Sequence, residues 1–219
     1  MMKRHIPNLL TCINLLIGCV GIYYVIREQE PTAFYFVIAA GLFDFFDGFA
    51  ARLLKVQSNI GKQLDSLSDL VSFGMLPAFF MLQWLQQTSD FYWIALVIVV
   101  FSALRLAKFN IDDSQSDSFI GLPTPANAIM LTSLVFVPFE LYEYTLISIT
   151  LFSALLLVSP VRLLALKFSS WGWKENKDRW ILLLGIVVGL VVFQWTFVPF
   201  LIPFYIVVSV ISYLVKYKS

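Results

Sequence analysis

Residues 44 to 69, DFFDGFAARLLKVQSNIGKQLDSLSD, gather four aspartates, one arginine and two lysines in a chain that is otherwise strongly apolar. On a helix turning about 100° per residue, Asp47 lies about 60° from Asp44, and Gly48 and Ala51 fall about 40° and 20° to either side. Asp44, Asp47, Gly48, Ala51 and Arg52 therefore share one face. Gly61, Asp65 and Asp69 step by four and form a second stripe. An ionised carboxylate costs roughly 2.5–3.5 kcal/mol near a membrane centre and less near an interface, so these side chains face protein or water rather than lipid. Four carboxylates held together repel one another. A divalent cation relieves that repulsion, and all-oxygen ligands suit Mg2+, Mn2+ or Ca2+ rather than zinc. Gly48, Ala51 and Gly61 leave room for a ligand to approach the backbone, while Arg52 offers a fork of donors to phosphate. Each residue taken singly also fits a solvated helix end or a packing glycine. Their convergence points to a metal site for a diphosphate substrate.

The elements that must position these residues are membrane helices. Of 219 residues, 59% are hydrophobic and only 13% charged, and the mean hydropathy is +0.83. Soluble domains are usually about 45–50% apolar and about 25% charged. The fold class expected is all-α, a polytopic bundle of about eight spans. Apolar runs place them at residues 9–26, 31–54, 67–85, 91–109, 125–141, 145–166, 180–198 and 199–215, with the last two divided near FVPFLIP, where prolines interrupt one long stretch. The whole chain, residues 1–219, reads as one membrane-embedded domain, with the last two helices over about 180–215. Fourteen of the fifteen Lys and Arg fall on one side of these spans, leaving Arg27 alone on the other. By the positive-inside rule both termini and the 44–69 stretch face the cytoplasm.

Other features narrow the classes. A net charge of +1 provides no basic field for nucleic acid. Cys12 and Cys19 lie seven residues apart in one run, about 10 Å along a helix, too far for a disulfide. The sequence LIGC, residues 16–19, resembles a lipoprotein cleavage site, but the apolar run continues through VGIYYVI, so the first span is expected to be retained. His5 is the sole histidine. No Ser-His-Asp or Cys-His arrangement suggests a covalent intermediate.

The pattern D-x2-D-G-x2-A-R-x8-G-x3-D-x3-D, filled by Asp44, Asp47, Gly48, Ala51, Arg52, Gly61, Asp65 and Asp69, resembles the signature of the CDP-alcohol phosphatidyltransferase family. The resemblance implies a multi-pass enzyme of the cell membrane that moves a phosphatidyl group from a CDP-linked lipid to an alcohol and releases CMP at the cytoplasmic face. It makes Asp44, Asp47, Asp65 and Asp69 metal ligands, with Asp69 also the general base. The ions would be Mg2+ or Mn2+, two in number. Asp47, Gly48, Ala51, Arg52 and Gly61 would hold the CDP-diacylglycerol, and PNLLTCIN, residues 7–14, resembles the family's entry to the first span, with Asn8 and Thr11 bordering the nucleotide. A homodimer is implied by the family alone.

SALRLAKFNID, residues 102–112, and FIGLPTPANA, residues 119–128, resemble the branch whose acceptor is L-serine and whose product is phosphatidylserine. Lys108 stands where some members of that branch carry Arg. Arg105 and Lys108, three apart at the end of the fourth span, are placed to receive a serine carboxylate or a lipid phosphate. The same two residues fit ordinary positive-inside anchoring. The mechanism expected is in-line attack by the serine hydroxyl, deprotonated by Asp69, on the lipid-side phosphorus. Two alternatives stand beside it. One is a glycerol 3-phosphate acceptor, as in phosphatidylglycerophosphate synthesis. The other is a cation-coupled transporter, opposed by the confinement of all four aspartates to one membrane face.

Overall fold

A computed structural model describes residues 5–56, 58–111, 119–164, 172–173 and 176–218. Helix α1 (His5–Ile26) and α2 (Pro31–Leu54) form a tight hairpin. Glu28 takes a left-handed conformation at φ 60° in the turn, and Pro31 starts α2 where a missing N–H costs nothing. Lys55 closes α2 with φ 54°, and the Val56 N–H reaches back to Ala51 O at 3.1 Å. Ser58 then caps α3 (Asn59–Asp69) by accepting from the Gly61 N–H at 3.0 Å.

α3 runs without a break through a π-helical turn, Leu70–Met75, into α4 (Leu76–Gln86). The Leu76 N–H bonds Val71 O, five residues back. Pro77 explains the widening: it has no N–H and its ring crowds the carbonyl four residues earlier, so the wider turn accommodates it. Phe73, Leu76, Phe80, Met81 and Leu85 are fully buried there, against Val25 of α1, Val37 of α2 and residues of the later helices. This strand of helix is the axis of the bundle.

A 3-10 turn, Tyr92–Leu96, leads into α5 (Val97–Ile111). Beyond it a two-residue ladder joins β1 (Phe119–Ile120) to β2 (Arg162–Leu163), antiparallel, with Phe119 opposite Leu163. Gly121 follows at φ 78°, and a Cβ there would collide with Leu157 O, so both backbone conformation and space require glycine. The GLPTP segment is the turn expected before the next helix, α6 (Thr124–Thr132), with Pro125 in its first turn. After a 3-10 turn, Ser133–Phe136, come α7 (Glu143–Val158), α8 (Lys177–Phe193), a 3-10 turn at Gln194–Phe197, and α9 (Val198–Lys218).

The all-helical bundle is as expected, and residues 31–54 are helical over the predicted bounds. Five helical runs among the described residues are long and apolar enough to cross a membrane: His5–Ile26, Pro31–Leu54, Asn59–Gln86, Tyr92–Ile111 and Lys177–Val215. Helix Thr124–Phe136 stops short of the predicted 141, and Glu143–Val158 short of the predicted 166, the latter because Ser159 and Pro160 turn the chain into β2; residues 165–166 lie outside the described residues. The final long run folds back on itself. It reverses at Gln194, φ 51°, ψ −132°, not at the prolines, since Pro199 sits in the first turn of α9 and Pro203 within it. Phe204 packs against Gly185 and Phe197 against Gly189, so the glycines of α8 admit the rings of the returning helix. α9 is held to the bundle by Ile202, in a cluster with Leu122, Met130, Leu156 and Leu163.

Candidate active site

Three helices meet where the carboxylates lie. Asp44 and Asp47 are on one face of α2, Asp65 is on α3, and one oxygen from each lies within 4.8 Å of the others. α1 braces this group. Thr11 Oγ1 donates to Asp47 Oδ2 at 2.6 Å, and α1 is pinned to α3 by Ser68 Oγ donating to Thr11 O at 3.1 Å and to the π turn by Ser72 Oγ donating to Asn14 O at 3.0 Å. The close approach is made possible by Gly18, whose missing Cβ would strike Ser72.

The three carboxylates open onto a cavity of about 750 Å³, lined also by Asn8, Thr11, Gly48, Ala51, Arg52, Gly61 and Lys62. All residues assigned from the signature to the CDP-lipid thus surround one space. Above Gly48 the nearest side-chain atom to an added Cβ is Arg52 Nη2 at 4.0 Å, so that glycine leaves the backbone open beneath the guanidinium. At Gly61 a Cβ would sit 3.1 Å from both Asn8 Oδ1 and Ser58 Oγ, which fixes this position as small. A donor set of three clustered carboxylate oxygens, with no nitrogen or sulfur, fits a hard divalent cation.

Asp69 borders this trio on its buried side, with its side chain against those of Asp44 and Asn14. It is one turn deeper, 9% exposed, and its Oδ1 has no hydrogen-bond partner. It interacts electrostatically with Asp44, Asp47 and Asp65, yet it is not among the three whose oxygens converge. Asp69 is thus the inner neighbour of the three converging carboxylates.

Arg105 and Lys108 separate. Arg105 is 8% exposed, lies within electrostatic reach of Asp69, and packs its guanidinium 5.9 Å from the Phe109 ring. Lys108 is exposed. The two line a small cavity of about 20 Å³ with Leu157, Val158 and Ser159, and Phe109 borders both it and the carboxylate cavity. Lys62, which lines the carboxylate cavity, donates its ammonium to Asn110 O at 2.8 Å.

Four buried polar residues lie within the stretches PNLLTCIN, SALRLAKFNID and FIGLPTPANA, where sequence reading gave them no individual role. Ser102, Thr124 and Asn127 are buried with side-chain polar atoms that have no hydrogen-bond partner among the described residues, and Asn14 is buried against Asp69. Leaving such a group unpaired costs about 1–3 kcal/mol. The available signal was an uncharged polar residue inside an apolar run, which is common enough in membrane helices to pass unnoticed.

An all-helical membrane bundle with a carboxylate trio beside a cavity lined by small residues and Arg defines a membrane-embedded candidate site for metal and phosphate. The chain belongs to the CDP-alcohol phosphatidyltransferase family, whose model matches residues 4–159. It is similar to the CDP-diacylglycerol–serine O-phosphatidyltransferase of Bacillus subtilis, 36% identical over 135 residues that cover 61% of this chain and 76% of that protein. The protein of the same name from Helicobacter pylori is 32% identical over 180 residues, covering 77% of this chain and 75% of its own length. That from Mycobacterium leprae is 32% identical over 138 residues, covering 59% of this chain and 46% of its own.

Proposed function

We propose that this chain transfers the phosphatidyl group of CDP-diacylglycerol to L-serine, giving phosphatidylserine and CMP. The observation that carries the reading is the convergence of Asp44, Asp47 and Asp65 on the cavity bounded by Gly48, Ala51, Arg52 and Gly61, in a chain similar to named serine O-phosphatidyltransferases. Membership of a transferase family removes the transporter alternative.

Asp44, Asp47 and Asp65 would hold the metal, Mg2+ or Mn2+, with Asp69 completing the set if two ions bind. Bound there, the metal would neutralise diphosphate charge. Arg52 pairs with phosphate oxygens over Gly48, while Asn8 and Thr11 border the nucleotide. Asp69 takes the proton of the serine hydroxyl. The hydroxyl oxygen forms a bond to the lipid-side phosphorus as the bond from that phosphorus to the oxygen of CMP breaks. Burial of Asp69 beside Asp44 suits a group that holds a proton during transfer. Arg105 receives the serine carboxylate, and Lys108, exposed, is left to anchor the helix end.

The site would face the cytoplasm of the cell membrane, with eight crossings formed by the five long runs, the reversal between α8 and α9, and the shorter helices α6 and α7. The fourteen-to-one distribution of basic residues supports that sidedness. One assay tests the function: purified full-length protein in detergent, with CDP-diacylglycerol and either serine, glycerol 3-phosphate or inositol phosphate as acceptor. Phosphatidylserine and CMP should form in equal amounts with serine, only when Mg2+ or Mn2+ is present. Product from glycerol 3-phosphate and none from serine would refute the reading.

A further inference from the structure

Lys62 belongs to two places at once. It lines the carboxylate cavity, where it and Arg52 are the cations among the described residues. Its ammonium, however, donates to Asn110 O at 2.8 Å, in the last turn of α5. Carbonyls of a last helical turn have no partner within the helix, and the helix dipole favours a cation there. The contact is part of a clip between α3 and α5. Asn110 Nδ2 donates to Ser66 Oγ at 2.8 Å, and that hydroxyl donates on to Lys62 O at 3.3 Å. Eight residues further along each of the two antiparallel runs, Ser102 of α5 packs against Gly74 of the π turn. α5 is thus held at two points, and the clip fixes the one at the rim of the cavity.

The Lys62 bond is one that a stronger acceptor can take. The residue is exposed, its four-carbon stem is flexible, and its present partner is a neutral carbonyl. Hydrogen bonds between charged groups are roughly twice as strong as those between neutral ones. A diphosphate diester brings two negative charges into a cavity already lined by three carboxylates, and Arg52 offsets only one of the two. We propose that Lys62 is a movable second cation of the diphosphate site. It clips α5 to α3 while the cavity is empty and turns to a phosphate oxygen when the CDP-lipid enters. The handover frees Asn110 O and loosens the end of α5 beyond its fixed point at Ser102. Occupation of the cavity is thereby transmitted to the helix that carries Arg105 and Lys108. This rests on the reading of the cavity as the CDP-lipid site, and not on the choice of acceptor.

The test measures direct binding of CDP-diacylglycerol to full-length protein in detergent with Mg2+ and no acceptor. Lys62→Met should weaken binding about ten- to hundredfold, the loss expected for a hydrogen bond between charged groups, and Lys62→Arg should recover most of it. Ser66→Ala breaks the clip and leaves the cation, so its affinity should equal or exceed that of wild type. Equal weakening in Ser66→Ala and Lys62→Met would mean that Lys62 acts only as a clip, and overturns the proposal. Unchanged affinity in Lys62→Met also overturns it. The handover is read separately by a spin label at Ile111→Cys, on the exposed last residue of α5, with Cys12 and Cys19 replaced. CDP-diacylglycerol should raise the label's mobility when Lys62 is present, whereas in Lys62→Met the label should be mobile from the start and respond little. A label that the ligand leaves unmoved or slows overturns the handover, and this measurement decides alone if Lys62→Met does not fold. Wild-type protein that binds no CDP-diacylglycerol refutes the reading of the cavity itself, whereas protein that binds it and ignores serine refutes only the serine transfer.

Discussion

The proposed mechanism gives Asp69 and the other three carboxylates different jobs, and so different signatures on mutation. Asp69→Asn keeps shape and hydrogen-bonding capacity but cannot take a proton. Turnover should fall about 10²- to 10⁴-fold, the usual contribution of a general base, while binding of CDP-diacylglycerol, measured directly, stays close to wild type. Near-normal turnover would make Asp69 a ligand only. Thr11→Val tests the neighbouring bond to Asp47. Groups that orient metal ligands typically contribute 10- to 100-fold in metal affinity, so the Mg2+ concentration for half-maximal activity should rise by about that factor with little change in maximal rate at saturating metal. The carboxylate stripes were legible in the sequence because charge inside an apolar run demands an explanation. Asn14 and Asn127 lay inside the quoted stretches PNLLTCIN and FIGLPTPANA, yet their burial was not legible, because a single amide within a membrane helix carries no charge and no spacing that marks it.

At the scale of elements, the site depends on how closely α1 approaches the π turn. Gly18 and Ser72 set that approach, with the Ser72 hydroxyl bonded to Asn14 O. Gly18→Val would force the helices apart and should destabilise the protein by about 1–3 kcal/mol, read as a lower melting temperature in detergent. Because Thr11 rides on α1, the variant should also need more Mg2+ for activity. Helix existence and the exact extent of α2 could be read from apolar runs. The π turn could not, because Pro77 by itself signals only disruption, and its outcome depends on the buried neighbours that keep the helix continuous. The ends of α6 and α7 were overextended for a related reason. Apolar residues continue past the last helical bond into segments held by tertiary contacts, such as Leu163 in its cluster with Leu122 and Ile202.

For the whole molecule, the distribution of basic residues and the position of the carboxylates make one prediction about sidedness. In a variant with Cys12 and Cys19 replaced, a cysteine at Glu28 should react with a membrane-impermeant maleimide added to intact cells. A cysteine at Ser58 should react only after the membrane is opened. The reverse pattern would place the carboxylates on the outer face. The folded-back pair α8 and α9 illustrates the limit of sequence reading at this scale. Two prolines in an apolar stretch suggested where it divides, yet the chain reverses at Gln194, where glycines on α8 accept the rings of Phe197 and Phe204. Complementary shape across the hairpin, invisible to a linear scan, sets the turn.

The π turn between Asp69 and Leu76 also has a genetic consequence. It carries one residue more than an α-helical turn would, and the widened turn takes up that residue locally, so the carboxylate-bearing segment before it and the core-filling segment after it continue as one helix. Removing one residue between Leu70 and Met75 would let the turn close to α-helical bonding, whereas removing one within α4 would rotate everything beyond it by about 100°. A single-codon deletion should therefore be better tolerated in this turn than in the regular helix on either side of it.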